Sequence, residues 1–164
     1  MDAELYKLSA MVGEALKARK FMMSAAESCT GGWIGQVVTM VPGSSTWFDR
    51  GFVTYTNEAK QDMLGVRAET LKRHGAVSAD TVREMVAGAL ARSRARIAVA
   101  VSGIAGPDGG SSAKPVGTVL LAWGEQGGAI TAKAMHFKGD RHAVRRQSVI
   151  AALEGLLAAI SRAS

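Results

Sequence analysis

The chain has a single cysteine, Cys29, so no internal disulfide can form, and a reducing cytoplasm is the expected compartment. Aromatic residues make up only 5% of the 164 residues. No Lys/Arg tract is interleaved with them in the way a base-stacking platform requires. The net charge of +6 therefore reads as a basic surface suited to a phosphorylated metabolite, and no nucleic-acid partner is expected. The longest apolar runs fall far short of the roughly 20 residues a spanning helix needs, so no membrane association is expected. The opening Met1-Asp2-Ala3-Glu4 is acidic and leads into a periodic segment, unlike a secretory signal or a transit peptide. His74, His136 and His142 show no metal spacing with one another or with Cys29, and no metal or cofactor is expected. The GxSxG elbow, the Walker A loop and the GxGxxG fingerprint are all missing.

What is present is a globular balance of 48% apolar and 21% charged residues, enough for a real core in one domain covering residues 1–164. Leu5, Leu8, Val12 and Leu16 share a helical face, which predicts an amphipathic helix over Asp2 to Arg19. Phe21 to Ala25 reads as a buried strand, Trp33 to Met40 as a helix and Trp47 to Tyr55 as a strand. Asn57 reads as the cap of a short helix carrying Lys60. A helix over Glu69 to His74 follows, then a longer one capped by Ser78 with Val82, Met85, Val86, Ala89 and Leu90 inward. Ile97 to Val101 is a continuous apolar run typical of a strand buried on both faces. Thr118 to Trp123 and Ala129 to Phe137 read as an antiparallel pair, and a final helix starts near Arg141. The sum is an α/β fold, a three-layer α/β/α sandwich around a mixed, mostly parallel sheet.

Four segments are candidates for chemistry. In the first, Gly43-Ser44-Ser45 and Tyr55 to Lys60 place a serine, a tyrosine and a lysine around one strand. If the loop folds back so that both ends of the strand share a rim, a neutral lysine can take a serine proton. That lysine must be desolvated or lie near another cation to act at neutral pH. The same residues also read as a surface loop, a packed tyrosine and a solvated helix lysine. The second segment, Ser102-Gly103-Ile104-Ala105-Gly106-Pro107-Asp108-Gly109-Gly110, directly follows a buried strand. Its N–H groups suit an anion. The third, Glu27-Ser28-Cys29-Thr30-Gly31-Gly32, is a glycine-marked helix start at a strand end. Ser28 or Cys29 can be put forward there as a nucleophile, although Cys29 has no basic neighbour in sequence and reads as a small buried residue. In the fourth, Lys138-Gly139-Asp140-Arg141, Arg141 opens the last helix and can pair with a phosphate or carboxylate.

These segments, with Pro115-Val116-Gly117-Thr118-Val119, occur in an order that closely resembles the CinA C-terminal domain family over nearly the whole chain. The enzymatic members of that family are nicotinamide mononucleotide deamidases. The resemblance implies hydrolysis of the mononucleotide carboxamide to nicotinate mononucleotide and ammonia, without a metal. It implies Ser45 as nucleophile, Lys60 as base and Tyr55 as its assistant. It also implies Ser102 and Arg141 near the site, with Arg145 and Arg146 close to Arg141 in sequence; the substrate phosphate would sit at a glycine-marked site, either Thr30, Gly31 and Gly32 or the loop from Gly103 through Gly106 to Gly110. A homo-oligomer, most simply a dimer, fits the long apolar helices. The alternative is a non-catalytic nucleotide-binding or adaptor domain linked to competence or DNA damage.

Overall fold

In the computed structural model, which describes residues 1–164, Asp2 is the cap of the first helix rather than its first residue. Its carboxylate accepts from the N–H groups of Glu4 and Leu5, and α1 runs Ala3–Arg19. Lys20 then adopts a left-handed conformation, and the Phe21 N–H returns to the Leu16 carbonyl. Phe21 therefore belongs to the helix exit, its ring under the guanidinium groups of Arg19 and Arg96. Strand β1 begins two residues later than the apolar run suggested, at Met23–Glu27.

The remaining elements follow the order α2 (Trp33–Val38), β2 (Phe48–Val53), α3 (Asn57–Leu64), α4 (Ala68–His74), α5 (Ala79–Ala91), β3 (Ile97–Gly103), β4 (Thr118–Glu125), β5 (Ile130–His136) and α6 (Arg141–Arg162). A short 3-10 turn, Ser44–Thr46, precedes β2. The sheet order is β2-β1-β3-β4-β5. The mixed sheet expected from the sequence is present. Its β2-β1-β3 half is parallel and its β3-β4-β5 half antiparallel, so parallel pairings are half of the ladder.

Alternation along β3 distributes two cores. Ile97, Val99 and Val101 point to the face covered by α1, α2 and α6, together with Leu16, Ile34, Leu153 and Leu156. Ala98 and Ala100 point to the other face, with Ala26 and Ala122, beneath Val82, Met85, Val86 and Ala89 of α5. The alanine carpet lets α5 lie close to the sheet, and α3 packs on it in turn. At Gly88 an added Cβ would sit 2.0 Å from the Leu64 carbonyl oxygen.

Parallel register puts the ends of β1, β2 and β3 at one edge, since Glu27 pairs with both Val53 and Val101. Chain leaving that edge carries Ser28, Thr54-Tyr55 and the glycine loop after Gly103. In an open sheet with parallel strands this carboxyl edge is where ligands bind. The packing at Gly88 sets a test of the layer. Gly88→Ala should lower the unfolding free energy by about 1–3 kcal/mol, read as an earlier urea midpoint at unchanged slope. Wild-type stability would contradict the close approach of α3 to α5.

Candidate active site

Thr56, not Asn57, caps α3: its Oγ1 accepts from the Ala59 N–H at 3.0 Å. This start places Lys60 in the first turn with its side chain directed inward, and only 1% of it is exposed. Its Nζ lies 3.0 Å from Ser28 Oγ, 3.0 Å from the Thr54 carbonyl and 3.4 Å from the Tyr55 carbonyl. None of these partners is a carboxylate. Burial disfavours the ammonium form and holds the Lys60 pKa below the ordinary lysine range. A lysine with a lowered pKa, in contact with a serine hydroxyl, can act as a proton acceptor near neutral pH.

Ser28 is the first residue beyond β1. Its N–H donates to the Val101 carbonyl and its carbonyl accepts from the Gly31 N–H, so a tight turn follows it at once. The N–H of Cys29, the next residue, donates to no carbonyl. The Cys29 thiol is itself buried, which pushes its pKa up to about 11 and keeps it protonated and unreactive beside the serine.

The structure does not bring Ser45 to Lys60, which corrects the expectation that the two ends of β2 share a rim. Ser45 is an exposed residue of the 3-10 turn before β2, at the edge where Met23 pairs with Phe48. Lys60 lies beyond the other end of that strand, where the Thr54 N–H bonds to the Glu27 carbonyl. A strand of six residues separates the two ends by about 20 Å. The pairing with β1 skips Asp49, so the strand carries an irregularity near its start, but its two ends still lie at opposite edges of the sheet. The serine that meets the lysine is Ser28, from the neighbouring strand. The available signal was its place directly after a buried strand and before a glycine-marked turn.

Ser28 and Lys60 face a cavity of about 320 Å³. Tyr55, Asn57, Ala76, Val77, the Ser102 to Gly110 segment and Arg141 contribute to its lining. Ser102, Gly103, Gly106 and Arg141 thus lie around one space with Ser28 and Lys60. Tyr55 is 57% exposed. Its phenol oxygen accepts from Arg141 at 3.0 Å, and only its carbonyl touches Lys60. Arg141 also donates to the Gly106 carbonyl at 2.7 Å, linking Tyr55 to the loop. Gly106 has a φ of +84°, and an added Cβ would lie 2.5 Å from the Val116 side chain, so a side chain there would displace the loop. The N–H groups of Ala105, Gly106, Asp108, Gly109 and Gly110 donate to no carbonyl of the protein, leaving them available to an anion.

Thr30, Gly31 and Gly32 do not line the cavity. They form the turn behind Ser28, with Thr30 wholly buried and bonded to Glu27. Of the basic residues near Arg141 in sequence, Arg145 holds the Cys29 and Thr30 carbonyls, and Arg146 pairs with Asp2 and Glu4. Asn57 and Asp108 also line the cavity; the sequence offered the first only as a helix cap and the second only as part of the glycine-rich segment.

The buried lysine predicts a pH-dependent stability cost. Below its depressed folded pKa, Lys60 is charged in both states and opposes folding. As pH rises through that value towards 10.5, its ordinary value, the unfolded chain holds the extra proton and stability rises. Lys60→Met should therefore unfold at a higher temperature than wild type at pH 7, at about 2–4 °C per kcal/mol gained for a domain of this size. The margin should narrow as pH rises towards the ordinary lysine value. A margin independent of pH, in thermal melts of both proteins, would contradict the burial of the charge.

No helix is long and apolar enough to cross a membrane. The CinA C-terminal domain model matches residues 5–160. The nicotinamide-nucleotide amidohydrolase PncC of Escherichia coli K12 is 57% identical over 155 residues, covering 94% of each chain. The protein of the same name from Pseudomonas putida is 56% identical over 150 residues, covering 92% of this chain and 93% of that one. The crystal structure of the competence/damage inducible protein CihA from Agrobacterium tumefaciens superposes with a TM-score of 0.94 at 47% identity, over 99% of this chain and 98% of that one. On this evidence the chain belongs to the CinA C-terminal domain family.

Proposed function

We propose that the chain hydrolyses the carboxamide of nicotinamide mononucleotide to nicotinate mononucleotide and ammonia, with Ser28 as nucleophile and Lys60 as general base. The observation that carries this reading is the 3.0 Å contact between Ser28 Oγ and the Nζ of a buried lysine that has no carboxylate partner. The relatives named nicotinamide-nucleotide amidohydrolase at 56–57% identity support a nicotinamide-nucleotide substrate. Neutral Lys60 accepts the Ser28 proton as Oγ attacks the carboxamide carbon. The tetrahedral oxyanion takes hydrogen bonds from the Cys29 N–H and from unpaired N–H groups of the Ala105–Gly110 loop, each contributing on the order of 3–4 kcal/mol. Protonated Lys60 passes its proton to the leaving nitrogen, and ammonia departs from an acyl-Ser28 ester. Water then adds to the ester with Lys60 again as base; the acyl–Oγ bond breaks, Lys60 returns that proton to Ser28 Oγ, and the carboxylate product leaves.

The pyridinium charge makes the amide more electrophilic. Arg141 spends two of its N–H groups on Gly106 and Tyr55 and keeps the others for the phosphate. Gly109 and Gly110, whose N–H groups donate to no carbonyl of the protein, also line the cavity. Tyr55 supplies a ring wall and orients Arg141, while its carbonyl holds Lys60.

In a nicotinamide mononucleotide ammonia-release assay, Ser28→Ala and Lys60→Met should each lower kcat by at least about a thousandfold, whereas Ser45→Ala stays near wild type. Activity lost in Ser45→Ala and kept in Ser28→Ala would reverse the assignment of the nucleophile. No ammonia release by wild type would leave a nucleotide-binding domain. The wild-type rate should climb with pH and level off below the ordinary lysine pKa. A rate still rising at pH 10.5 would remove Lys60 as a base active near neutral pH.

A further inference from the structure

Glu27 is 1% exposed and pairs with no basic side chain. Its carboxylate instead accepts three hydrogen bonds, from Thr30 Oγ1 at 2.6 Å and from the N–H groups of Ile34 at 2.8 Å and Gly35 at 3.0 Å. A buried charge is costly unless its hydrogen bonds are made. This one is satisfied wholly by the turn and first helical residues that follow Ser28. All three partners are donors, so the group between them must be acceptor-only. A glutamine would aim an NH2 group at one of the N–H groups.

The main chain of Glu27 does a second job. Its carbonyl accepts from the Thr54 N–H at 2.8 Å, and the Thr54 carbonyl accepts from Lys60 Nζ at 3.0 Å. One residue thus ties the turn carrying the serine to the strand end holding the lysine. On the outer side of the turn, Arg145 donates to the Cys29 carbonyl at 3.0 Å and the Thr30 carbonyl at 3.1 Å. The turn is gripped from both sides, and neither grip touches the cavity, whose lining includes neither Glu27 nor Arg145.

We infer that Glu27, acting through the Thr30 hydroxyl, is a positioning residue that sets Ser28 Oγ against Lys60 Nζ. The inference rests on the reading of Ser28 as nucleophile. It also moves Thr30 from the phosphate-binding role that the glycine-marked turn suggested to one behind the nucleophile. A loosened turn costs rate and not substrate affinity, because displacement of a reacting atom by about 1 Å is enough to lose on the order of a hundredfold.

The test uses the full chain with Thr30→Val, which removes the donor at nearly constant shape, Thr30→Ser, which keeps it, and Glu27→Gln. Two readouts are followed. The first is the kcat and KM of ammonia release from nicotinamide mononucleotide. The second, independent of that substrate, is the rate at which phenylmethanesulfonyl fluoride modifies Ser28, located by peptide mass. In that step the Oγ–S bond forms, the S–F bond breaks, fluoride leaves and the serine proton passes to Lys60.

Thr30→Val should lower both kcat and the sulfonylation rate by about tenfold to a hundredfold with KM near wild type. Thr30→Ser should restore both, and Glu27→Gln should fall with Thr30→Val. Should Glu27→Gln fail to fold, the two Thr30 variants decide the matter. An unchanged sulfonylation rate in Thr30→Val would overturn the inference, as would a raised KM at unchanged kcat. Full ammonia release by Ser28→Ala would instead overturn the reading beneath it.

Discussion

A lysine ammonium buried without a counter-charge is the constraint around which this structure is arranged. Lys60 is nearly inaccessible, and its three neighbours are a hydroxyl and two carbonyls. Each of those oxygens can accept a hydrogen bond from the lysine nitrogen, but none can neutralise its charge. The group is therefore biased towards the amine, and the hydroxyl within reach becomes the natural source of its next proton. Adding a carboxylate there would stabilise the fold and spoil the base.

The rest of the fold delivers those neighbours. Parallel pairing of β1 with β2 and β3 aligns three strand ends at one edge. The first contributes Ser28, the second contributes the Thr54 and Tyr55 carbonyls and leads into the helix of Lys60, and the third leads into the glycine loop. The antiparallel half of the sheet completes the site from the other side. Val116, just before β4, packs against Gly106 and fixes the loop that lines the cavity. Arg141, at the start of the last helix, closes the ring by holding Gly106 and Tyr55 together.

Much of this was legible in the residues. The Ile97 to Val101 run, the Ser78 cap and the start of the last helix at Arg141 each stand where the local pattern put them, because burial pattern and capping are local properties. Lys60, Ser102, Gly103, Gly106 and Arg141 also converge as expected. The serine did not follow. Ser45 and Lys60 are close in sequence and flank one strand, but a strand holds its ends apart. Ser28 is 32 positions away in sequence from Lys60, and the contact exists only because β1 and β2 are parallel neighbours. Register between strands is non-local information, and no spacing along one segment carries it. The role of Glu27 was hidden for a related reason: an acidic residue at a strand end reads as exposed until the helix that caps it is in place.

The central claim, that burial holds Lys60 ready to accept a proton from Ser28, is tested most directly by titrating the lysine itself. The Cε and Nζ resonances of Lys60, assigned by comparison with Lys60→Met and followed by NMR across the alkaline range, report its pKa without reference to any substrate. The account predicts a midpoint clearly below 10.5, the ordinary lysine value, while the exposed lysines titrate normally. A midpoint at or above that value would mean that the lysine remains an ammonium at the pH of catalysis, and would contradict its role as base.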